Sequence, residues 1–422
     1  MLELAAVFIC FTALLTYVNY RFVGLPPTIG VMVIALVFSV LLQIASWLGF
    51  PLLEESIERL IQRIDFNELL MNWMLSFLLF AGALHVDFSE LRNYRWPIGL
   101  LATVGVLFST ALIGGAAYWI LPLLGWQVDL LYCLLFGALI SPTDPIAVLG
   151  ILRSVGAPKS LEITIVGESL FNDGVAVVVF TVLLGILVSG TTPSTGEAVL
   201  LFAEEALGGV LLGAVIGYVT YHLLKSIDQY QIEVLLTLAL VIGGTALAPH
   251  LHVSGPISMV VAGLIIGNRG RQRAMSDITR QYVDGFWELI DEILNALLFV
   301  LIGMELLLLP VSGSHLVAAL TLAVVILLIR CLSVTPVVFM SSRWRHVAKG
   351  TMGILTWGAL RGGISVALAL SLPVSPERDL VLTLTYIIVL LSILLQGLTI
   401  GRLIRRVTGA TTSERSTTGH EH

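Results

Sequence analysis

Charge is what this chain has least of: 12% of its 422 residues are charged, where about a quarter is usual in a soluble protein. With 57% apolar residues, that shortage excludes a run of two or three ordinary soluble domains. Cysteine is scarce as well. Cys10, Cys133 and Cys331 lie inside apolar runs, where a thiol packs as a small hydrophobe, so neither a disulfide nor a cysteine metal site is expected. The net charge of −6 is spread over separate loops rather than gathered into a patch, which gives nucleic-acid binding no support. A signal peptide is not expected either. The first apolar run, Leu2 to Tyr20, follows Glu3 instead of basic residues and has no small-residue cleavage site, so it is expected to stay as a helix.

What the chain has is apolar stretches of about 18 residues or more over nearly its whole length, the mark of a polytopic membrane protein. Thirteen spans are expected, starting near Leu2, Pro27, Leu69, Trp96, Leu130, Ile163, Ala198, Ile232, Pro256, Trp287, Leu316, Val347 and Leu380. The ninth, Pro256 to Gly267, is short enough to be re-entrant. With the N-terminus outside, seventeen basic residues fall on the cytoplasmic side and three (Arg59, Arg63, Arg378) on the other, while Arg330 and Arg361 stay inside spans. The positive-inside rule therefore favours N-out, C-in, and it favours keeping the short span, without which the Arg269 to Arg280 cluster changes sides.

Short strings recur in order across the two halves. Leu78-Leu79-Phe80 matches Leu297-Leu298-Phe299, Phe136-Gly137-Ala138-Leu139 resembles Trp357-Gly358-Ala359-Leu360, and Pro27 and Pro256 both lead spans. Phe80 to Phe136 is 56 residues and Phe299 to Trp357 is 58, and the mates are seven spans apart, an odd offset that inverts one half relative to the other. The expected organisation is a first repeat over about 1–190, a connecting span over about 198–224, a second repeat over about 230–404 and a short tail over 405–422. Inverted repeats are typical of secondary transporters, with the ion site at the midplane where broken helices meet. Pro142 and Pro145 bracket Thr143-Asp144 and free backbone carbonyls; Gly362-Gly363 weakens the mate span beside Arg361. Freed carbonyls in hydrocarbon must find protein, water or an ion.

Acids in such spans are costly, roughly 2.5 to 3.5 kcal/mol each at the bilayer centre, and so point to function. From Ile163 to Val188 the strongly polar residues near the middle are Glu168, Ser169, Asn172 and Asp173. Ser169 and Asp173 share one helix face; Glu168 and Asn172 share another. Hydroxyl and carboxylate oxygens suit a hard cation, and Asp144 with the Thr143 carbonyl can complete its shell. Burial favours a neutral carboxyl whereas a bound cation favours an ionised one, so proton and metal ion compete for the same oxygens. That competition suffices for exchange. The amide at Asn172 beside Asp173 points to one proton per monovalent ion and no net charge moved. Charge balance pairs Glu168 with one of the two intramembrane bases, Arg330 or Arg361; Arg330 is the preferred partner, which leaves Arg361 to hold the broken-helix carbonyls. The bland alternative for Asp173 and Asp144 is a packing acid in a salt bridge. Asn295 and Glu305 are weaker candidates in the tenth span, packing or helix-end residues on the plainer reading; His85, His250, His252 and His315 read as interfacial, and Glu54, Glu55 and Glu58 as a solvated outer face.

Three strings carry a resemblance: Ser141-Pro142-Thr143-Asp144-Pro145, Gly167-Glu168-Ser169-Leu170-Phe171-Asn172-Asp173-Gly174 and Trp357-Gly358-Ala359-Leu360-Arg361-Gly362-Gly363. In these the chain resembles the monovalent cation:proton antiporters of family 1, specifically the bacterial NhaP-type sodium/proton exchangers. The resemblance implies a thirteen-span homodimer in the cell (inner) membrane, with an interface bundle and a core bundle moving elevator-fashion, no cofactor, and sodium (or lithium or potassium) and protons as cargo. It implies Asp173 as shared ion and proton carrier, Ser169 and Thr143 as ligands, Asp144 as a second acid reaching the ion directly or through water, Asn172 as the amide of electroneutral members, and Glu168 with Arg330 as a buried ion pair. Ala81 stands where many relatives carry an acid, and the tail after Leu403 is short, so a long regulatory domain is not expected. Rival readings are a potassium/proton exchanger, a cation channel using the same oxygens, and an intramembrane protease; for the last, Phe171 stands where a nucleophile elbow needs glycine.

Overall fold

The computed structural model describes residues 2–48, 74–145, 148–150, 152, 157–190, 195–305, 312–344 and 350–408, and all regular structure among them is helical. In chain order the helices are α1 (Leu2–Val18), α2 (Pro27–Trp47), α3 (Leu75–Leu84), α4 (Phe88–Asn93), α5 (Arg95–Ala102), α6 (Val104–Leu123), α7 (Leu130–Ile140), α8 (Lys159–Ser189), α9 (Thr195–Lys225), α10 (Tyr230–His250), α11 (Gly255–Ile265), α12 (Asp277–Glu305), α13 (Gly313–Trp344), α14 (Thr351–Trp357), α15 (Gly363–Leu370), α16 (Pro376–Leu391) and α17 (Leu398–Thr408). A three-residue turn, Arg271–Arg273, also lies between α11 and α12. Eight helical segments among the described residues are long and apolar enough to cross a bilayer, and α3 and α7 are shorter apolar helices. The start predicted at Leu69 and the outer acids Glu54, Glu55 and Glu58 lie outside the described residues, as do 409–422 of the tail.

Local sequence explains where several helices begin. Asp129 accepts the Leu131 amide at 2.7 Å to cap α7, Ser254 caps α11 just ahead of Pro256, and Ser375 caps α16 just ahead of Pro376. The expected start at Trp287 falls ten residues inside α12, which begins at Asp277. Its first turns carry Asp277, Arg280, Asp284, Glu288, Asp291 and Glu292, too polar for a hydropathy window yet good enough helix formers to stay helical. The short ninth span is α11 extended by a wide π-turn over Ile266–Gly270.

Packing relies on small residues, as in other membrane bundles where backbones must approach closely. A side chain at Gly137 of α7 would meet the Thr110 carbonyl of α6 at 2.3 Å, and one at Gly213 of α9 would meet the Ser258 carbonyl of α11 at 2.3 Å. The core divides in two. The larger part is built on α1–α3, α5–α8 and α11–α17, and the smaller, around Trp287, Phe80, Met259 and Tyr221, on α3 and α9–α12. Large side chains such as Trp119, Leu123, Leu211 and Leu328 remain exposed on the outside, as suits a surface that meets lipid.

Two helices are interrupted opposite one another. α7 ends at Ile140 and its chain runs extended through Pro142–Pro145; α14 ends at Trp357 and α15 starts at Gly363. The two interruptions touch as a single antiparallel bridge, with the Asp144 amide donating to the Leu360 carbonyl at 2.8 Å. Gly137→Ala is expected to lower the thermal midpoint of the detergent-solubilised protein by several degrees, since overpacking costs about 1–3 kcal/mol. Gly243→Ala, with nothing within 4 Å of the added carbon, should leave it unchanged or slightly raised.

Candidate functional site: an acid-lined cavity at the helix crossing

The crossing is held by groups that replace the missing helical hydrogen bonds. Arg361 is 4% exposed, and its guanidinium donates to the carbonyls of Ser141 at 2.8 Å and Pro142 at 2.9 Å; its own amide donates to Ser392 Oγ at 3.1 Å. One cation thus ties the strand-like segment of the first break to the backbone of the second. Gly362 completes the fit, because any Cβ there would lie 2.3 Å from Asp144 Oδ2.

Helix α8 supplies the second wall. Ser169 Oγ donates to the Thr143 carbonyl, Asn172 Nδ2 donates to Thr143 Oγ1 at 2.8 Å, and the Thr143 amide reaches Asn172 Oδ1 at 3.5 Å. Thr143 is therefore fixed at backbone and side chain by two residues of one helix. Asn172 is 1% exposed and is not part of the cavity wall, so its amide positions Thr143 from behind. That orientation follows from helical spacing: Asn172 shares the Glu168 face, not the face of Ser169 and Asp173.

The two buried acids of α8 differ sharply. Glu168 is 2% exposed and receives both guanidinium nitrogens of Arg330, at 2.5 and 2.9 Å; Arg330 also donates to the Leu355 carbonyl at 3.3 Å from Nε and 3.2 Å from the guanidinium. Asp173 is also buried, yet among the described residues no hydrogen bond or ion pair reaches its carboxylate, and Asp144 lies within Coulombic reach of it. Charge pairing has been completed at one acid and withheld at the other.

Asp173, Asp144, Thr143 and Ser169 line one cavity of about 540 Å³. The cavity extends past Glu288, Asp291 and Asn295 of α12 to a rim with His85, Asp87, Glu90, Lys159 and Glu162. At the rim, the Ser89 hydroxyl and amide hold the Asp87 carboxyl below the usual carboxylate range, so it stays ionised, and Lys159 pairs with Glu90. Ala81 also faces this cavity, an apolar contact where an acid would add an oxygen. Sequence reading named Asn295 only weakly and missed Glu288 and Asp291, which look like helix-end acids until α12 is seen to begin ten residues before Trp287. The side chain of Glu305 lies outside the described residues. Among the described residues no group of three or more His, Cys, Asp or Glu is arranged to hold a metal ion.

Arg330→Met, which leaves Glu168 buried and unpaired, is expected to cost about 3–5 kcal/mol and lower the thermal midpoint strongly. Adding Glu168→Gln should recover most of that loss, as read from thermal unfolding in detergent. Equal destabilisation in single and double variants would remove the pair from this account.

Known proteins place this arrangement in context. A family model described as the transmembrane sodium/hydrogen exchanger matches residues 9–406. The chain is 64% identical over 424 residues, covering 100% of both chains, to the Na(+)/H(+) antiporter NhaP of Pseudomonas aeruginosa. It is 36% identical over 363 residues, 85% of this chain and 87% of the other, to the Na(+)/H(+) antiporter NhaH of Halobacillus dabanensis. Among solved structures, the sodium proton antiporter MjNhaP1 of Methanocaldococcus jannaschii shares the fold with a TM-score of 0.74 at 19% identity, covering 96% of this chain and 97% of that one. By a family match over almost its whole length and a full-length relative at 64% identity, this chain belongs to the transmembrane sodium/hydrogen exchanger family.

Proposed function

We propose that this protein is a secondary active antiporter that exchanges protons for sodium, with the Asp173 carboxylate as the carrier both share. One observation carries the reading: of two buried acids on α8, Glu168 is neutralised by Arg330 while Asp173, on the cavity wall, has no cation paired with it among the described residues. An intramembrane carboxylate without a base must take its positive charge from elsewhere, and a proton or an alkali ion are the two available sources. Taking one excludes the other.

In this mechanism Ser169 Oγ, the Thr143 carbonyl and Asp144, directly or through water, complete the oxygen shell around an ion held by Asp173. Asn172 acts by keeping Thr143 in place. Arg361 and the Glu168–Arg330 pair keep the broken helices assembled while their charges stay satisfied, so the core can move as a unit with its cargo neutralised. The two inverted repeats, about 1–190 and 230–404 with a connecting span at about 198–224, then rock about the crossing, with the cavity reaching one side at a time. The basic-loop bias sets the N-terminus outside and the C-terminus in the cytoplasm of the cell (inner) membrane. In that orientation the rim residues Glu90, Lys159 and Glu162 face the cytoplasm, and the described conformation is open inward. The exchanger works as a homodimer through its exposed apolar helices. Because a single carboxylate, Asp173, is the carrier and position 172 is an amide, one proton is exchanged per ion without net charge.

Reconstitution into liposomes tests this. An imposed sodium gradient should drive proton movement that needs no external voltage, and Asp173→Asn should abolish it in a protein that still elutes as a folded dimer. Exchange retained in Asp173→Asn would refute the carrier assignment, and sodium current without proton movement would indicate a channel. Asn172→Asp should make exchange respond to membrane potential; unaltered voltage independence would reject only the claim that position 172 sets the stoichiometry.

A further inference from the structure

Outside the Asp173 site, the cavity wall contributed by α12 holds a group that the exchange mechanism does not use. Glu288, Asp291 and Asn295 follow one another at helical spacings of three and four and so share a face, and all three line the cavity. Asn295 is 2% exposed, yet its side-chain oxygen has no hydrogen-bond partner among the described residues. Its side chain acts on the Asp291 carboxylate, which lies one turn earlier on the same face. A buried amide oxygen without a donor calls for a ligand or water. Asp291 lies within Coulombic reach of Asp144, and Asp144 within reach of Asp173, so the acids form a series from vestibule to carrier.

We propose that the Asp291 carboxylate and the Asn295 side-chain oxygen form a second, transient site for a partly dehydrated alkali cation, from which the ion passes to Asp173. The inference rests on the reading of this cavity as the ion path. Carboxylate and amide oxygens are hard donors suited to such an ion. With only one full negative charge in the pair, the site holds its ion weakly, as a staging point must if the ion is to move on. A cleft in which acids outnumber bases also raises the local cation concentration and so feeds the station at low sodium.

Two measurements test it. In purified Asp173→Asn protein, equilibrium binding of radiolabelled sodium should persist at reduced affinity and disappear when Asp291→Asn is added. In proteoliposomes carrying otherwise native protein, Asp291→Asn should raise the sodium concentration for half-maximal exchange about tenfold, the low end of what charge focusing in a cleft supplies, and Asn295→Ala should raise it several-fold through the loss of one ligand oxygen. Glu162→Gln, which removes a rim charge but no atom of the site, should raise it much less. Asn295→Ala removes no charge, so it separates a binding site from a diffuse field and remains informative if Asp291→Asn fails to fold. Residual binding that ignores Asp291→Asn, or an unchanged half-maximal concentration in Asn295→Ala, overturns the proposal. Exchange retained by Asp173→Asn would overturn the carrier reading instead, whatever happens at Asp291.

Discussion

A break in a membrane helix exposes carbonyls that hydrocarbon cannot satisfy, and a charge beside it must be matched or carried. In this protein the guanidinium of Arg361 meets that constraint at the crossing by taking the Ser141 and Pro142 carbonyls, while the Asp144 amide pairs with the Leu360 carbonyl across the two breaks. Much of the remaining site depends on this clasp. It holds residues 142–145 against α8, so Thr143 meets Ser169 and Asn172, and it sets Asp144 beside Gly362, where no other residue fits without a shift.

Polar satisfaction around the clasp is extensive but selective. Arg330 is bonded at three nitrogens, to Glu168 and to the Leu355 carbonyl, which locks α13 to α8 and to the helix before the second break. Asp173, one turn further along α8 from Ser169, is left without such a partner while sharing a cavity with Asp144. A scaffold that neutralises Glu168 with Arg330 and sets Asp173 on a cavity wall fixes its structural charges while leaving a carboxylate open to outside charge. The proposed exchange mechanism rests on that contrast, because one carboxylate takes a proton or an ion and not both.

The polar geometry was legible in sequence where chemistry is local. Pro142, Pro145 and Gly362-Gly363 mark the breaks by their backbone effects, and charge balance alone joins Glu168 to an arginine. Two features were not legible, for physical reasons. Spacing separates Asn172 from the face of Ser169 and Asp173, but which of the two faces meets the cavity depends on how α8 is rotated against the broken segment, a tertiary quantity. The acids of α12 were hidden because hydropathy finds apolar windows, and a helix that lines a polar cavity over its first turns does not resemble one.

Proton and sodium competing for the same carboxylate is the account's central claim, and calorimetry tests it most directly. Sodium is titrated into the purified protein in buffers of differing ionisation enthalpy, over a range of pH. The account predicts that each ion bound displaces a proton, with apparent affinity falling as the solution is acidified and the displacement lost in Asp173→Asn. Sodium binding that is indifferent to pH and releases no protons would contradict it.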